Sequence, residues 1–394
     1  MSWINEVLEA TEESESPERY FYWSAVSAIS AICRRNIYLD KFFYKLYPNI
    51  FVLLIGPSGL RKGVPISMAQ KLVEKVGCTR VISGRGSIQG VIKDLARAYT
   101  LPDKSILTDA IGFLVSSEFD AMLVNDDQTF SLLTDLYDTH FKEDWKNIIK
   151  VAGTDHLKQI YLSLFAASNE TNLAHAVPHN AVGGGWVART LIILEERKRR
   201  LNSLTERPKK VPDYDKLSKR LFEIANLKGA FTFSPESKSL YDSWYNDFAR
   251  DENSDPTGTL ERIHDTILKV AMCISLAEKN ELILERSDIE QAIDKCLECT
   301  TGMKRVFLAH GEHSLAKPTM KVLKILIVAK EHQKLRKSLL SELYGEADAM
   351  DLDRIIDTLT QAGAIESINT PNGVLYKMPD KIAERYVNFK KEIN

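Results

Sequence analysis

The chain has 394 residues and a net charge of −2, with hydrophobic residues at 44% and charged residues at 27%. This length fits two or three domains, and the charge favours no class of partner, so any contact with DNA has to come from local basic patches. Five scattered cysteines exclude a disulfide framework. The acidic first residues do not resemble a signal peptide, and every apolar run is shorter than a membrane span. We therefore expect a cytoplasmic protein with no membrane partner.

Residues 1–47 are predicted to be helical, and the first strand follows them. Ile50 to Ile55 is a continuous apolar run, which is typical of a parallel strand buried on both faces. A glycine-rich turn and a helix from about Val64 to Val76 come next. Further short apolar strands alternate with predicted helices: Val81–Ser83, Ile111–Val115, Tyr161–Ala166 and Leu191–Leu194. This alternation predicts a parallel α/β sheet in a core domain over residues 48–200.

The rest of the chain is predicted to form a helical lid domain and a separate C-terminal domain. Residues 195–214 have the charged composition of an exposed linker, and residues 201–312 are mainly helical in pattern. Residues 315–394 contain three short predicted helices and then two β-like segments on either side of Asn372-Gly373, which is a strong hairpin signal. Three helices followed by a hairpin are the layout of a winged helix.

The turn after the first strand is a candidate phosphate loop. Its sequence, Gly56-Pro57-Ser58-Gly59-Leu60-Arg61-Lys62-Gly63, departs from the pattern G-x4-G-K-[ST] at Arg61 and Gly63. Its position between a buried strand and a helix favours phosphate binding, because backbone N–H groups there hold phosphate oxygens and Lys62 reaches the β- and γ-phosphates. The hydroxyl that usually binds Mg²⁺ is missing at Gly63, so water or Ser58 would have to replace it. The alternative is an ordinary glycine-rich turn with a solvated Arg-Lys pair.

Several short motifs follow the loop in a consistent order. They are Pro48-Asn49 before the strand, then Ser83 to Ser87, Ser117-Glu118, Ala167 to Asn169, and Gly185 to Arg189. With the loop itself, they resemble the helicase-like AAA+ P-loop ATPases of phages and mobile elements over about residues 18–310. The resemblance implies ATP and Mg²⁺ as cofactors, DNA as a partner, and a ring homo-oligomer, which we expect to be a hexamer.

The resemblance also implies roles for two residues after the third strand. Ser117-Glu118 stands where the Walker B motif places Asp-Glu, so Glu118 would polarise the attacking water. Ser117 would replace a metal-binding aspartate, and Asp120 is the candidate to compensate for it. The alternative from residue type is that Glu118 caps the helix that follows.

Three further residues match family positions that act on ATP. Asn169 corresponds to sensor 1, Arg189 to an arginine finger that reaches the ATP of a neighbouring subunit, and Arg262 to sensor 2. The alternatives from residue type are a turn for Asn169 and a surface salt bridge for Arg189.

Two basic segments are candidate DNA contacts. In related ring helicases, a hairpin before sensor 1 points into the pore. This chain has a predicted hairpin that turns near Gly153. Its side chains that would then face phosphates are Lys146, Lys150, His156 and Lys158. In the C-terminal domain the third helix is acidic, and a basic edge is formed by Lys334, Arg336 and Lys337. The first segment could also be a solvated hairpin, and the second could bind a DNA backbone or a protein.

Two functions are consistent with these features. The first is an ATP-dependent DNA helicase or translocase that acts as a ring in DNA replication. The second is a nucleotide-binding replication initiator or scaffold with a weak or inactive ATPase, which the departures at Gly63 and Ser117 keep open. A small-molecule kinase would have little use for a winged helix.

Overall fold

A computed structural model describes residues 2–83, 87–123, 128–138, 144–149, 153–177, 185–202, 210–250, 259–303, 306 and 315–382. The chain divides into two compact units, Met1–Phe307 and Leu308–Asn394.

The described part of the first unit contains mixed secondary structure. Its strands are β1 (Ile37–Asp40), β2 (Lys45–Leu46), β3 (Phe51–Ile55), β4 (Arg80–Ser83), β5 (Tyr99–Thr100), β6 (Ile106–Leu107), β7 (Ile111–Ser116), β8 (Asp144–Ile149), β9 (Gly153–Lys158), β10 (Tyr161–Ser168), β11 (Thr190–Leu194), β12 (Gly229–Phe233) and β13 (Ile283–Leu284). Its α-helices are α1 (Trp3–Ala10), α2 (Glu18–Cys33), α3 (Gly63–Val76), α4 (Ile88–Leu95), α5 (Asp120–Leu123), α6 (Thr129–Tyr137), α7 (Glu170–Ala176), α8 (Tyr214–Asn226), α9 (Pro235–Arg250), α10 (Thr259–Leu276) and α11 (Arg286–Met303).

Five strands form the parallel sheet that the sequence predicts. Their order across the sheet is β11-β3-β10-β7-β4, and every neighbouring pair is parallel. Strands β3 and β10 are buried along their whole length, which explains why the sequence shows continuous apolar runs rather than alternation. The predicted α/β class with a parallel sheet is therefore confirmed.

Helix α2 is buried on every side, although its sequence pattern placed it in a separate N-terminal segment. Every residue from Tyr20 to Cys33 is buried. The Ser24 hydroxyl donates to the carbonyl of Pro65 in α3 at 2.8 Å, and the Ser30 and Ser163 hydroxyl oxygens lie 2.8 Å apart between α2 and β10. Residues before 48 and after 200 share one core with the sheet, so the structure does not divide the first unit at these expected boundaries.

A second, smaller sheet lies where the sequence pattern predicts helices. Its order is β13-β12-β1-β2, with β12 parallel to β1 and β13, and β2 antiparallel to β1. The helical prediction for residues 37–46 and 229–233 is therefore wrong. Along β1, Ile37 and Leu39 are buried while Asp40 is exposed, which is the two-residue period of a strand.

The charged segment expected to be an exposed linker is held against the N-terminal residues as far as residue 202. Lys198 pairs with Glu15 at 2.9 Å, and Arg199 pairs with Glu18 at 2.8 Å. The basic run therefore neutralises part of an acidic segment of the same chain. The segment is still exposed at Glu196, Arg197, Arg200 and Leu201, as the sequence predicts. Residues 203–209 lie outside the described residues.

The second unit contains the elements that the sequence predicts, with one additional strand. They are α12 (Ala316–Val328), β14 (Gln333–Leu335), α13 (Arg336–Glu342), α14 (Ala349–Gln361), β15 (Glu366–Thr370) and β16 (Gly373–Lys377). The strands form an antiparallel sheet in the order β14-β16-β15. Gly373 has a φ of 113°, a conformation that glycine adopts without strain, and this explains the Asn-Gly hairpin signal.

Candidate nucleotide-binding site

The carboxyl ends of the parallel strands bring the predicted nucleotide-binding residues to one edge of the sheet. Strand β3 ends at Ile55 before the candidate phosphate loop, β7 ends at Ser116 before Ser117-Glu118, and β10 ends at Ser168 before Asn169. Because these strands are parallel neighbours or next neighbours, the three segments face the same crevice. The crevice edge is the usual place for a ligand in an open α/β sheet.

The loop begins at a position that only glycine can occupy. A Cβ atom on Gly56 would lie 2.4 Å from the carbonyl oxygen of Glu195 and 2.8 Å from the hydroxyl oxygen of Tyr20. Both neighbours are fixed, since the Tyr20 hydroxyl and the Glu195 N–H donate to the Ile55 carbonyl at 2.6 Å and 3.0 Å. Helix α2 and strand β11 therefore set the direction in which the chain leaves β3.

Lys62 lies folded over the loop at the start of α3. Its Nζ donates to the carbonyl oxygens of Gly56 and Pro57 at 2.5 Å and 3.0 Å. Burial lowers the pKa of Lys62, and the charge of Asp120 opposes this shift, so the two groups lie within electrostatic range. An ammonium group over a glycine-rich turn, next to the orphan N–H groups of a helix start, is a suitable arrangement for a phosphate.

The other predicted loop residues surround Lys62 with different exposures. Leu60 is buried, and the exposed positions are Pro57, Ser58, Gly59, Arg61 and Gly63. Gly59 has a φ of 93°, so the loop contains one of the left-handed glycines that such a turn requires.

Arg61 occupies the position where the phosphate-loop pattern has its second glycine. Its φ is 58°, in the left-handed region that disfavours residues with a side chain. The N-terminal segment holds this conformation, because the Ser16 hydroxyl donates to the Arg61 carbonyl at 2.9 Å and Arg61 Nε donates to Glu15 at 2.9 Å. Hydrogen bonds from Arg61 and Lys198 hold the pKa of Glu15 down to about 2. Sequence reasoning missed Glu15 and Ser16, since nothing in the pattern connects them to a loop 45 residues away.

Gly63 begins α3 and faces an open cleft. No atom lies within 4 Å of the position of a Cβ on Gly63, so a serine or threonine side chain has room there. Ile66 and Val115 line part of this cleft, and its polar lining residues are Ser67, Gln70, Ser83, Ser116, Ser117 and Glu118. The Glu118 side chain is exposed at this cleft, and its N–H donates to the Ser116 hydroxyl at 3.3 Å.

Asp120 connects the end of β7 to the end of β10, and Asn169 caps the helix that follows β10. The Asp120 carboxylate accepts hydrogen bonds from the Ser168 hydroxyl at 2.8 Å and from Asn172 Nδ2 at 3.0 Å. Asn169 is the N-cap of α7, and its Oδ1 accepts from the N–H of Asn172 at 2.7 Å. The structure thus gives Asn169 a local capping role, while its action on a nucleotide stays a prediction.

The Arg189 guanidinium is buried and paired within the chain. Its side chain is 7% exposed and donates to both carboxylate oxygens of Asp138, at 3.0 Å and 2.6 Å, and to the Gly185 carbonyl at 2.8 Å. A finger in trans needs an exposed guanidinium, so this placement argues against the expected role and for an intramolecular ion pair. The salt bridge considered as the alternative exists, but it is buried rather than at the surface.

Arg262, the sensor 2 candidate, lies on the exposed side of α10. It is one turn before Asp265, which binds Lys41 at the tip of the β1–β2 hairpin. Arg262 thus lies one helical turn from a residue that contacts the hairpin, and its action on a nucleotide stays a prediction.

The predicted DNA-binding hairpin is present as strands β8 and β9, and Lys150 lies outside the described residues. Trp145 and Leu157 face each other on the buried side, while the opposite side exposes Asp144, Lys146, His156 and Lys158. His156 Nε2 contacts the carboxylate of Asp144. The exposed side thus combines both lysines with one carboxylate, which reduces its positive charge.

The basic edge of the second unit is largely neutralised within that unit. Lys334 pairs with Glu342 at 2.7 Å, and Arg336 binds both oxygens of Asp353 at 2.8 Å and 3.0 Å. Lys337 is exposed. Two of the three residues therefore have internal acidic partners, which weakens the expectation of a phosphate-binding edge.

Lys269 is a buried charged residue that sequence reasoning did not single out. It is 2% exposed, its Nζ donates to Asn49 Oδ1 at 2.9 Å, and it lies 3.8 Å from the centroid of the Tyr137 ring. Burial lowers the pKa of Lys269 to about 7. The sequence feature that could have identified Lys269 is its position between Leu268 and Val270 in an otherwise apolar stretch of α10.

The described residues contain neither a membrane-spanning helix nor a cluster of metal ligands. No helix in the described ranges has both the length and the apolar character of a membrane span. Among these same residues, no three His, Cys, Asp or Glu side chains are grouped so that they could hold a metal ion. No protein-family model and no curated protein sequence matches the chain, so function is inferred from the geometry above.

Proposed function

We propose that this chain is a P-loop ATPase that acts on DNA. The observation that carries the proposal is Lys62, whose Nζ lies over the carbonyl oxygens of Gly56 and Pro57 next to Gly63, and Gly63 lines one cleft together with Glu118. The strand–turn–helix context and the parallel sheet support a nucleotide at this edge. Loop N–H groups and Lys62 would hold the phosphates, and Glu118 would orient and polarise the attacking water.

The residues of the cleft fit a nucleotide better than they fit a directly bound Mg²⁺. Gly63 has no side chain, Ser117 replaces the expected aspartate, and Asp120 is already hydrogen-bonded to Ser168 and Asn172. A hydrated ion held through water is compatible with these hydroxyl groups, since Mg²⁺ keeps several waters in many sites. These departures specifically favour the second candidate, a nucleotide-binding replication initiator or scaffold with weak hydrolysis.

The DNA half of the proposal has separate support. The exposed side of β8–β9 carries Lys146 and Lys158, and the second unit has the helix and hairpin order of a winged helix. The resemblance to ring helicases is the basis for proposing a homo-oligomeric ring, and the buried Arg189 does not add to it.

Nucleotide binding and DNA-stimulated turnover test the two candidates. Lys62→Ala should abolish ATP binding measured by calorimetry, while Lys93→Ala, an exposed lysine on α4, should leave it unchanged. Equal affinity in Lys62→Ala and the wild type would refute the phosphate loop. Turnover that rises with single-stranded DNA supports a motor, and binding without DNA-dependent turnover supports the scaffold.

A further inference from the structure

The tip of the β1–β2 hairpin exposes two adjacent aromatic rings. Phe42 is 97% exposed and Phe43 is 98% exposed, in the sequence Lys41-Phe42-Phe43-Tyr44-Lys45. Single exposed apolar residues are common on protein surfaces, but two neighbouring rings at full exposure on one protruding turn are not explained by packing. The pair therefore points to a ligand.

The structure holds the tip in one conformation. Phe42 has a φ of 64°, and its N–H donates to Asp40 Oδ1 at 2.9 Å. Lys41 Nζ and the Tyr44 hydroxyl both donate to the Asp265 carboxylate of α10, at 2.7 Å and 2.9 Å. Hydrogen bonds thus connect the residues on each side of the two rings to helix α10. Binding would therefore cost little additional conformational entropy of the backbone.

We propose that Phe42 and Phe43 stack on unpaired bases of a single-stranded nucleic acid. Every base has an apolar face, so two rings offer a sequence-tolerant platform for two bases. The proposal rests on the DNA half of the proposed function and names the form of nucleic acid that the protein binds.

The size of the apolar surface favours bases over a protein partner. Two phenylalanine rings offer roughly 300–500 Å², at about 150–250 Å² each. A stable protein interface needs about 800 Å² on each partner. Base stacking does not require an interface of that area, because one base stacked on one ring is by itself a favourable contact.

The charges around the tip are compatible with phosphates. Both neighbouring carboxylates have hydrogen-bond donors within the protein, since Asp40 accepts from the Phe42 N–H and Asp265 accepts from Lys41. Lys45 at the start of β2 and Arg262, one turn before Asp265 on α10, are exposed cations.

The test measures binding of the full chain to a fluorescent oligothymidylate. Phe42→Ala with Phe43→Ala should weaken binding by at least about fivefold for each ring. Phe42→Tyr with Phe43→Tyr keeps both rings and should bind within about twofold of the wild type, because stacking is retained. Leu201→Ala is the control, because Leu201 is an apolar residue outside the tip that is 83% exposed. This variant should bind oligothymidylate as tightly as the wild type.

Specific outcomes overturn the proposal. Equal oligothymidylate affinity in the wild type and the double alanine variant would refute stacking at the tip and leave DNA binding itself intact. A wild type that binds ATP but neither single-stranded nor duplex DNA would refute the DNA half of the proposed function as well. If the double alanine variant loses as much affinity for duplex DNA as for oligothymidylate, the rings bind another ligand. The same holds if it loses affinity only for phosphatidylglycerol vesicles.

Discussion

The missing metal-binding hydroxyl can be restored at Gly63. This residue begins α3, and the site of its Cβ has no neighbouring atom within 4 Å. Gly63→Ser therefore adds a hydroxyl without a steric conflict, at the position where the phosphate-loop pattern has Ser or Thr. Gly63→Ala is the matched control, since it adds the Cβ alone.

The two variants separate a backbone effect from a ligand effect. Replacing a glycine that has helical dihedrals by alanine stabilises a protein by about 0.4–1 kcal/mol, mainly through the unfolded chain. Serine has an intermediate helix propensity, so both variants should be slightly more stable than the wild type. A hydroxyl that interacts with a charged group contributes about 1.5–3 kcal/mol, which is roughly a 10- to 150-fold change in affinity.

We expect Gly63→Ser to bind ATP at least about tenfold more tightly than Gly63→Ala when Mg²⁺ is present, and equally when EDTA is present. Calorimetric titration measures both affinities, and urea unfolding measures both stabilities. If Gly63→Ser and Gly63→Ala bind ATP equally tightly in the presence of Mg²⁺, no metal lies next to residue 63. The comparison with the phosphate-loop pattern would then fail at this position. A destabilising Gly63→Ala would contradict its open surroundings.

Glu118→Gln should keep ATP affinity and stop turnover, because it removes the base and keeps the shape; unaffected turnover would mean that β7 does not supply the catalytic group. Arg189→Ala should lower the free energy of unfolding by about 3–5 kcal/mol, since it leaves Asp138 without its buried partner. Lost turnover at unchanged stability would instead restore the finger role of Arg189. Lys269→Met removes a group whose pKa burial lowers to about 7 from 10.5. The unfolded chain holds that proton more tightly, so urea unfolding should show wild-type stability rising from pH 7 to 9, and the variant should lack this contribution.

The parallel sheet could be predicted because its strands are buried on both faces. A continuous apolar run as short as Ile50 to Ile55 indicates a buried strand when a glycine-rich turn and a helix follow it. The same rule failed for β1 and β12, since a short strand in a small sheet buries only alternate side chains. Ile37 and Leu39 give too few alternations to be distinguished from the end of a helix.

The candidate site was only partly predictable, for a different reason. Motifs placed Lys62 and Glu118 at one edge of the sheet, since both positions follow strand ends. The partners of Arg61 and Arg189 depend on tertiary contacts, and a sequence does not show which acidic residue approaches a given arginine. Glu15 and Asp138 are such partners, at 2.9 Å and 2.6 Å.

The contacts of Lys269 and Asn49 connect the expected lid to the nucleotide edge. Asn49 comes just before β3, the strand that ends at the phosphate loop, and its Nδ2 donates to the carbonyls of Tyr137 and Leu162 at 3.0 Å and 3.3 Å. Its Oδ1 accepts from Lys269 of α10 at 2.9 Å. One amide thus joins α10 and the end of α6 to the strand that positions Lys62. Because a buried polar group loses considerable free energy when its partner is removed, α10 cannot move away from β3 without exposing or orphaning Asn49. In this protein the segment expected to form a lid is part of the core that fixes the phosphate loop, so a movement that follows nucleotide binding would have to come from other elements.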